Sequence, residues 1–425
     1  MQLALSRSAH VLTIRPTAVL LGIAFTALNF TPLLGSKAAL VFLLMCLALV
    51  LRRPGDIAKE SVGAGALWLL VGWCILSTFW SNAPGLTLRY SIQLALTVAI
   101  AVSAAYRLST TSLLRVILIS WLLPALASIA ISRSNPGGHW VGIFSSKNAL
   151  AQFASICVLS GWAVLMDRKG RGGWVFLALL NLLAGALLIY RADSAGATIT
   201  TALGCIGMLA IAPMRFLSRW QRVFLGLAMG LFAVFAVLLI TGFFVEIGDF
   251  VLRETGKDVT LTGRTTLWKI AFGQIALHPL LGQGFKGFWV IGNPIAESLW
   301  AQFGITTKIG FHFHNTLISN AVEIGLIGIA MQAGLVFFAA FSIFRWAIAS
   351  PSAETLFLAG FVIRQLILMN SEVVFFTQFE AITLLTAMVI IYARRANAER
   401  REIRSDIPLR MRSAPSQKTG DARYG

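Results

Sequence analysis

The sequence predicts an all-α, polytopic membrane protein with about 12 transmembrane helices and one large outer loop that contains short helices. Two observations lead to this prediction. Of the 425 residues, 57% are hydrophobic and only 12% are charged, whereas about a quarter of the residues in a soluble globular protein are charged. Apolar runs long enough to cross about 30 Å of hydrocarbon also recur along almost the whole chain. This composition excludes a water-soluble enzyme.

Each apolar run is predicted to form one membrane-spanning helix. The connections between the runs are short except for 246–313, and long loops without an obvious fold are often functional. The first run has no convincing small-residue cleavage site behind it, so it is expected to be a retained helix rather than a removed signal peptide. The predicted spans lie near 17–33, 37–51, 63–81, 89–106, 113–132, 148–166, 174–190, 195–212, 223–245, 316–344, 355–373 and 378–393.

The net charge of +18 comes from 35 Lys and Arg against 17 Asp and Glu, and in a soluble protein it would suggest nucleic-acid binding. In a membrane protein an excess of Lys and Arg first reports orientation. When alternate loops are assigned to opposite sides, most of these residues fall on the side of both termini, which is therefore predicted to be cytoplasmic. The loop 246–313 then faces outward, and no nucleic-acid partner is expected.

Residues 1–393, including the loop 246–313, form the predicted transmembrane domain. Residues 394–425 are basic, with scattered Pro, Ser and Gly, and are predicted to be a disordered cytoplasmic tail drawn to anionic lipid headgroups. The four cysteines all lie within apolar runs and are expected to act as small hydrophobes, with no disulfide or metal framework. They are Cys46, Cys74, Cys157 and Cys205.

The outer loop contains one predicted helix, the run GRTTLWKIAFGQIAL after Thr262, which ends at His278–Pro279 because proline disfavours helix before it. Its apolar residues recur at helical spacing on one face, so it is predicted to lie along the membrane surface. These residues are Trp268, Ala271 and Ile275. Arg264 begins this helix, where a guanidinium fits either a phosphate beside the positive helix end or a lipid headgroup that anchors the loop.

The segment FHFHN (311–315) places two imidazoles at the mouth of the tenth span. Histidine can act as a base near neutral pH because its ordinary pKa is about 6.5. A histidine that caps the helix is the competing interpretation. A zinc site is not expected, because His312 and His314 would point to different sides of a helix and no Cys or carboxylate joins them at ligand spacing.

Ionisable residues inside a membrane are costly, so each is a candidate for function. Three glutamates and one arginine are candidates. They could be the ion ligands of a transporter, or the arginine could form a buried ion pair with one of the glutamates, and the ion pair is favoured. They are Glu323, Arg364, Glu372 and Glu380. Lys147, in SSKN before the sixth span, fits either anion binding or snorkelling to the interface.

Residues 282–287 read GQGFKG, which has the letter pattern of a dinucleotide-binding loop. That fingerprint requires a strand before it and a crossover helix after it. Apolar helices surround the motif in this chain, so a tight turn with close backbone approach is predicted instead.

Three stretches occur in order within and after the outer loop: GRTTLW (263–268), HPLLGQGF (278–285) and HNTLISNAVEIGLIG (314–328). Together they resemble the O-antigen ligase and polysaccharide polymerase family, particularly its exopolysaccharide-production branch. The similarity runs from about the sixth predicted span to the eleventh.

The resemblance implies a metal-independent glycosyltransferase without a cofactor, in the bacterial inner membrane and active on the periplasmic face. Its donor would be a glycan on an undecaprenyl pyrophosphate carrier and its acceptor another glycan. By motif, Arg264 matches the family arginine that binds the pyrophosphate, and His314 matches the essential histidine. The other candidate substrate-binding residues are His312, Asn315, Lys147 and Arg191. Expected partners include membrane lipids and proteins that set chain length or export the polymer.

The chemistry of these residue types fits that reaction. Arginine at a helix start can stabilise the leaving pyrophosphate, and His314 can take the proton of a sugar hydroxyl. One departure concerns RADSAG (191–196): the family tends to have Arg or Lys directly after the serine, where this chain has Ala195, and Arg191 is the candidate replacement. This departure favours a polymerase over a ligase.

Three hypotheses therefore remain open at the sequence level. The first is a polymerase that joins lipid-linked repeats, and the second is a ligase that transfers finished polysaccharide to a lipid or protein. The third is a transporter or flippase, which the many spans would suit. The candidate polar residues, however, cluster on one face rather than at the bilayer midplane, where transporter sites lie.

Overall fold

The computed structural model describes residues 15–167, 172–242, 263–308 and 310–412. These residues are helical and contain no strand beyond one isolated bridge between Ser134 and Trp140. The predicted all-α, polytopic membrane fold is confirmed.

Nine helices precede residue 212. They are α1 (Pro16–Leu34), α2 (Ser36–Leu51), α3 (Ile57–Gly63), α4 (Gly65–Leu76), α5 (Pro84–Arg107), α6 (Thr110–Ile131), α7 (Lys147–Leu165), α8 (Gly173–Ala192) and α9 (Ala195–Ile211). The later helices are α10 (Arg219–Gly242), α11 (Arg264–Leu277), α12 (Pro294–Gln302), α13 (Thr316–Ala349), α14 (Ala353–Leu368) and α15 (Ala381–Arg412).

Every predicted span coincides with one of these helices, although the number that cross the membrane stays a prediction. Within the described ranges, 7 helices are long and apolar enough to cross, or up to 8 if α2 and the residues Pro54–Gly63, which meet at 81°, make one broken span. The predicted spans near 63–81 and 355–373 are shorter as helices, since α4 and α14 have 12 and 16 residues.

The first part of the predicted basic tail, residues 394–412, is helical in the structure. Helix α15 continues without a break from the membrane-facing run to Arg412. The physical reason is composition, because Ala, Arg and Glu dominate the first part of this segment and are strong helix formers. Residues 413–425 lie outside the described residues, as do 243–262 at the start of the outer loop.

Helix α13 is broken at Gly325, whose φ of 67° and ψ of −178° are not helical. Residues 278–287, which we call the plug segment, fill the break. The Leu326 N–H donates to the Pro279 carbonyl at 2.8 Å, and the Gln283 N–H donates to the Val322 carbonyl at 2.9 Å. Irregular backbone inside a membrane protein is stable only where such partners satisfy its polar groups.

The plug segment has the tight turn that the GQGFKG motif predicted. Gly282 and Gly284 have positive φ angles of 68° and 94°. A Cβ at Gly282 would lie 2.5 Å from the Glu323 carbonyl oxygen, and one at Gly325 would lie 2.2 Å from the Leu280 carbonyl oxygen. Glycine is required on both sides of this contact because the two backbones touch.

A second, smaller core lies under the outer loop, separate from the main core of the helix bundle. Leu267 and Ala271 of α11 are buried in it against Phe288, Trp300 and Phe313. The prediction that the apolar face of α11 lies along the membrane surface is therefore wrong. That face packs against protein, because the loop supplies enough aromatic surface of its own to cover it.

Candidate active site

Two histidines from the segment before α13 and one glutamate from the segment after α14 meet near the start of α13. The Nε2 atom of His312 lies 3.4 Å from Oε2 of Glu372, and Nδ1 of His314 lies 3.9 Å from the same oxygen. The two imidazole rings are 4.4 Å apart between centroids and meet edge to face. Glu372 comes from the segment between α14 and α15, which the sequence does not place near the histidines.

His312 is held in one tautomer by its own backbone. The His314 N–H donates to Nδ1 of His312 at 3.0 Å. Because Nδ1 is the acceptor, the proton of the neutral ring lies on Nε2, which faces Glu372. Nε2 of His312 therefore presents its proton to the Glu372 carboxylate. The lone pair on Nδ1 already accepts the His314 N–H.

His314 is the imidazole with a free nitrogen. Its Nδ1 atom is buried and has no hydrogen-bond partner among the described residues. Burial is the main cause that lowers the pKa of His314 from 6.5 to about 4, and the nearby His312 and Arg264 act in the same direction. The ring is thus neutral at physiological pH and able to accept a proton. Its φ of 51° is left-handed, a conformation that costs a non-glycine residue roughly 1–2 kcal/mol and is found at functional sites.

Glu372 is held by groups from three other elements. The Thr316 hydroxyl donates to its carbonyl at 2.7 Å, and the Asn148 amide donates to its Oε1 at 3.4 Å. Asn148 in turn accepts from the Ser194 hydroxyl at 3.0 Å. Burial works to raise the pKa of Glu372, but the hydrogen bond from His312 and the positive charges nearby outweigh it, so the pKa lies below its usual range. The carboxylate is therefore ionised at neutral pH.

Arg264 is the first residue of α11 and is half-buried. The Trp268 indole, one turn further on, donates to the Phe313 carbonyl at 2.8 Å and so joins α11 to the histidine segment. The charge of Arg264 acts on both His314 and Glu372. Gly263 caps α11 without a side-chain hydrogen bond, so the N–H groups of its first turn point outward with the positive end of the helix dipole.

Lys147 and Arg191 lie at the edge of this cluster. Lys147 Nζ donates to the Asp193 carbonyl at 3.1 Å. Arg191 is exposed, and its guanidinium lies 4.9 Å from the centroid of the Trp140 ring. Arg191 lies in the turn that carries Ser194, and Lys147 begins α7 beside Asn148. Asn148, which contacts both Ser194 and Glu372, connects this region to the cluster.

Asn315 has a structural position. Its Oδ1 accepts from the Ile318 N–H at 3.0 Å and so caps α13. The sequence offered a histidine as the cap, and asparagine, one of the strongest N-cap residues, takes that place instead.

The buried charges of the bundle have partners that fix them in place. Lys286 Nζ lies 3.9 Å from Glu323 Oε2, and its backbone N–H donates to the same oxygen at 3.1 Å. The favoured ion pair of Arg364 with a glutamate is wrong. In the described residues its guanidinium instead donates to the Ser155 hydroxyl and the Gln152 carbonyl, at 2.7 and 3.0 Å. Neutral acceptors satisfy this arginine at lower desolvation cost than a second buried charge.

The reasoning that excluded a metal from the histidine pair does not hold. His312 and His314 lie before α13, not on it, and Glu372 joins them from another segment. Ligand atoms of the three lie within 4.8 Å of one another, and two histidines with one carboxylate are a ligand set that zinc uses. In this arrangement, however, Nε2 of His312 and Oε2 of Glu372 face each other, so neither atom is directed at a metal position.

Sequence reasoning missed Asn148 and Ser194, and it named Glu372 without its histidine partners. The signal for them was limited to sidedness, because SSKN, RADS and FHFHN all fall on the same predicted side of the membrane. Contact between them depends on helix packing, which hydropathy does not report.

A family model described as "O-Antigen ligase" matches residues 180–333. The resemblance that the three sequence stretches indicated is thereby confirmed, and all three lie inside this domain. Arg264, His312 and His314 also lie within it, whereas Glu372 and Asn148 lie outside it.

Similar proteins include a curated protein and a solved structure. The exopolysaccharide production protein ExoQ of Rhizobium meliloti (strain 1021) is 34% identical over 278 residues, which are 63% of this chain and 63% of that protein. A chain from a peptidoglycan synthase complex aligns over 91% of this chain and 99% of its own length at 17% identity, with a TM-score of 0.33. That score is too low to indicate a shared fold.

Proposed function

We propose that this protein is a glycosyltransferase that joins lipid-pyrophosphate-linked oligosaccharide repeats into an exopolysaccharide. The observation that carries the proposal is the buried, unpartnered Nδ1 of His314, 3.9 Å from the ionised Glu372 and within the field of Arg264. The O-antigen ligase domain and the similarity to an exopolysaccharide production protein support the same reaction class.

In the proposed reaction the acceptor hydroxyl loses its proton to the imidazole of His314 as its oxygen attacks the anomeric carbon of the donor. The bond from that carbon to the pyrophosphate oxygen breaks, and the lipid pyrophosphate leaves as an anion. Arg264 and the N–H groups at the start of α11 stabilise the charge that develops on it. Glu372 stabilises the imidazolium of His314 after proton transfer.

A bound pyrophosphate also tunes the base. The low pKa of the free His314 makes it a weak base, and the negative charges of the donor raise that pKa when they arrive. The base therefore strengthens when the donor is present, which couples binding to proton transfer.

The second candidate is a ligase that transfers finished polysaccharide to a lipid or protein, and the description of the matching family model favours it. The same residues would act, and only the acceptor would differ. Ala195, in place of the basic residue expected after Ser194, favours the polymerase. We further propose a bacterial inner-membrane location, with both termini cytoplasmic and the site periplasmic, because most Lys and Arg lie in the loops on the side of the termini.

The direct test is to incubate the purified full-length protein, in lipid, with a defined undecaprenyl pyrophosphate oligosaccharide. Wild-type protein should release the carrier and lengthen the glycan. His314→Ala should lower the rate by about 10²–10⁴-fold, the usual contribution of a general base. His278→Ala is the matched control, because His278 is exposed at the end of α11 and outside the cluster.

Wild-type activity in His314→Ala would refute the catalytic assignment. Movement of the lipid-linked glycan across vesicles without new glycosidic bonds would favour a flippase. In cells, loss of a polymerase leaves single repeats on the carrier, whereas loss of a ligase leaves long chains on it, so the glycan length separates the two candidates.

A further inference from the structure

A large cavity lies far from the histidines, between α1, the start of α2 and α6. Its volume is about 1030 Å³. The walls are formed by apolar side chains of α1 and α6, several of them exposed, including Ile23, Ile119 and Leu123. It is a groove rather than a closed cavity, and its lining runs from Arg15, before α1, to Lys37, after α1. A helix of this length rises about 28 Å, close to the thickness of the hydrocarbon core.

The two ends of the groove differ in charge. Arg15 and Arg115 line one end, whereas Lys37 is the cation at the other. Arg115 is exposed, and its guanidinium lies 5.0 Å from the centroid of the Trp174 ring. The Ser112 hydroxyl also lines the arginine end, while the Thr111 hydroxyl donates to Glu354 at 2.6 Å and is already engaged.

The arginine end lies on the face opposite the candidate active site. Helix α5 begins next to Asn82, whose N–H donates to the Gln283 carbonyl of the plug segment at 3.2 Å. It then crosses to Arg107, and α6 returns from there, so Arg115 near the start of α6 is on the far side. The groove is therefore distinct from the site of glycosyl transfer and does not depend on the proposed function.

We propose that this groove binds one anionic phospholipid, with acyl chains between α1 and α6 and the headgroup phosphate between Arg15 and Arg115. Charge complementarity selects this occupant. Two guanidiniums at one end suit a phosphate oxygen pair, which arginine binds bidentately. An apolar trough without charges between the ends suits acyl chains. A zwitterionic lipid would bring its own cation next to the arginines.

Native mass spectrometry of the full-length, delipidated protein tests the proposal. The probes are phosphatidylglycerol, phosphatidylethanolamine and undecaprenyl phosphate. Wild type should retain one phosphatidylglycerol with at least about 10-fold higher affinity than phosphatidylethanolamine, as expected for two arginines near the headgroup. Arg15→Gln with Arg115→Gln should remove this preference.

The matched control is Arg52→Gln with Arg53→Gln, which removes the same charge outside the groove. Arg53 belongs to the same face, since its carbonyl accepts from Arg107 at 3.2 Å. Thr26→Trp is a second variant that keeps both arginines and fills the groove, and it should abolish the bound lipid. Unchanged binding in both groove variants would overturn the proposal. Preferential, arginine-dependent binding of undecaprenyl phosphate would overturn it in favour of the carrier lipid.

Discussion

One carboxylate oxygen, Oε2 of Glu372, faces both His312 at 3.4 Å and His314 at 3.9 Å. The two imidazoles relate to it differently. His312 faces the carboxylate with Nε2, while its Nδ1 accepts from the His314 N–H. The nearest nitrogen of His314 has no hydrogen-bond partner among the described residues. The arrangement separates a histidine that orients from a histidine that can react.

Glu372→Gln should lower activity by about 10- to 100-fold, less than His314→Ala. The amide keeps the size of the side chain but loses the negative charge that raises the pKa of His314 and stabilises its protonated form. The measurement is the rate of glycan extension by purified protein over a range of pH. Glu297→Gln, which alters an exposed carboxylate paired with Lys308, should keep wild-type activity. A Glu372→Gln rate equal to wild type would contradict this role.

Arg264→Ala should raise KM for the lipid-linked donor and lower kcat, and Arg264→Lys should retain part of the activity. Lysine restores the charge but not the fork that binds two phosphate oxygens. The check is steady-state kinetics with the donor varied at fixed acceptor. Lys269→Gln, an exposed change on the same helix, serves as the control and should leave both constants unchanged. An effect of Arg264→Ala no larger than that of Lys269→Gln would reassign the arginine to lipid anchoring.

The pH dependence should differ between kcat/KM and kcat. His314 has a pKa lowered to about 4, so its basic form is present above that pH and is lost as pH falls through it. The acid limb of kcat/KM, which reports the free enzyme, should therefore lie near pH 4. Bound pyrophosphate raises the pKa, so the acid limb of kcat should lie at higher pH. Return to pH 7 after acid exposure must restore full activity, which excludes unfolding as the cause.

Chelation should leave glycosyl transfer intact. Nε2 of His312 already faces Oε2 of Glu372 at 3.4 Å, so a metal would have to replace the proton on Nε2 and break this contact. The experiment is extension activity after dialysis against EDTA, with the metal content of the protein measured in parallel. Loss of activity that Zn²⁺ restores would instead make His312, His314 and Glu372 a metal centre.

Gly325→Ala should destabilise the protein by at least about 2 kcal/mol, because left-handed φ costs an alanine roughly 1–2 kcal/mol and its Cβ would lie 2.2 Å from the Leu280 carbonyl oxygen. Gly334→Ala on the same helix is the control. No other side chain or backbone atom lies within 4 Å of a Cβ there, so the helix should gain about 0.5–1 kcal/mol. Thermal unfolding in detergent measures both. Equal melting temperatures would mean that the break in α13 is not tightly packed.

The sequence predicted the helical architecture well because hydropathy reports directly on membrane helices. Every predicted span is a helix, and α11 ends at His278 as the proline indicated. The tail was harder to predict, because a basic and polar composition does not distinguish a disordered segment from the helical end of α15.

The candidate site was predictable only in part. Arg264 and His314 were named from their motifs, and their proximity follows from the Trp268 to Phe313 hydrogen bond, which no motif encodes. The role of Glu372 depends on the loop after α14 folding back onto Thr316. The metal argument failed because it assumed that the two histidines were on a helix. The Asn315 cap was readable from residue preference alone.

The break at Gly325 connects the two segments that carry the candidate residues. The plug segment begins where α11 ends and is bonded to the middle of α13, which itself begins at the histidines. Arg264 lies at the start of α11 and His314 just before α13, and the hydrogen bonds between the plug segment and α13 hold these two helices together. The fold therefore holds these two residues in position, and in the proposed reaction the donor would bind between two groups that are already in place.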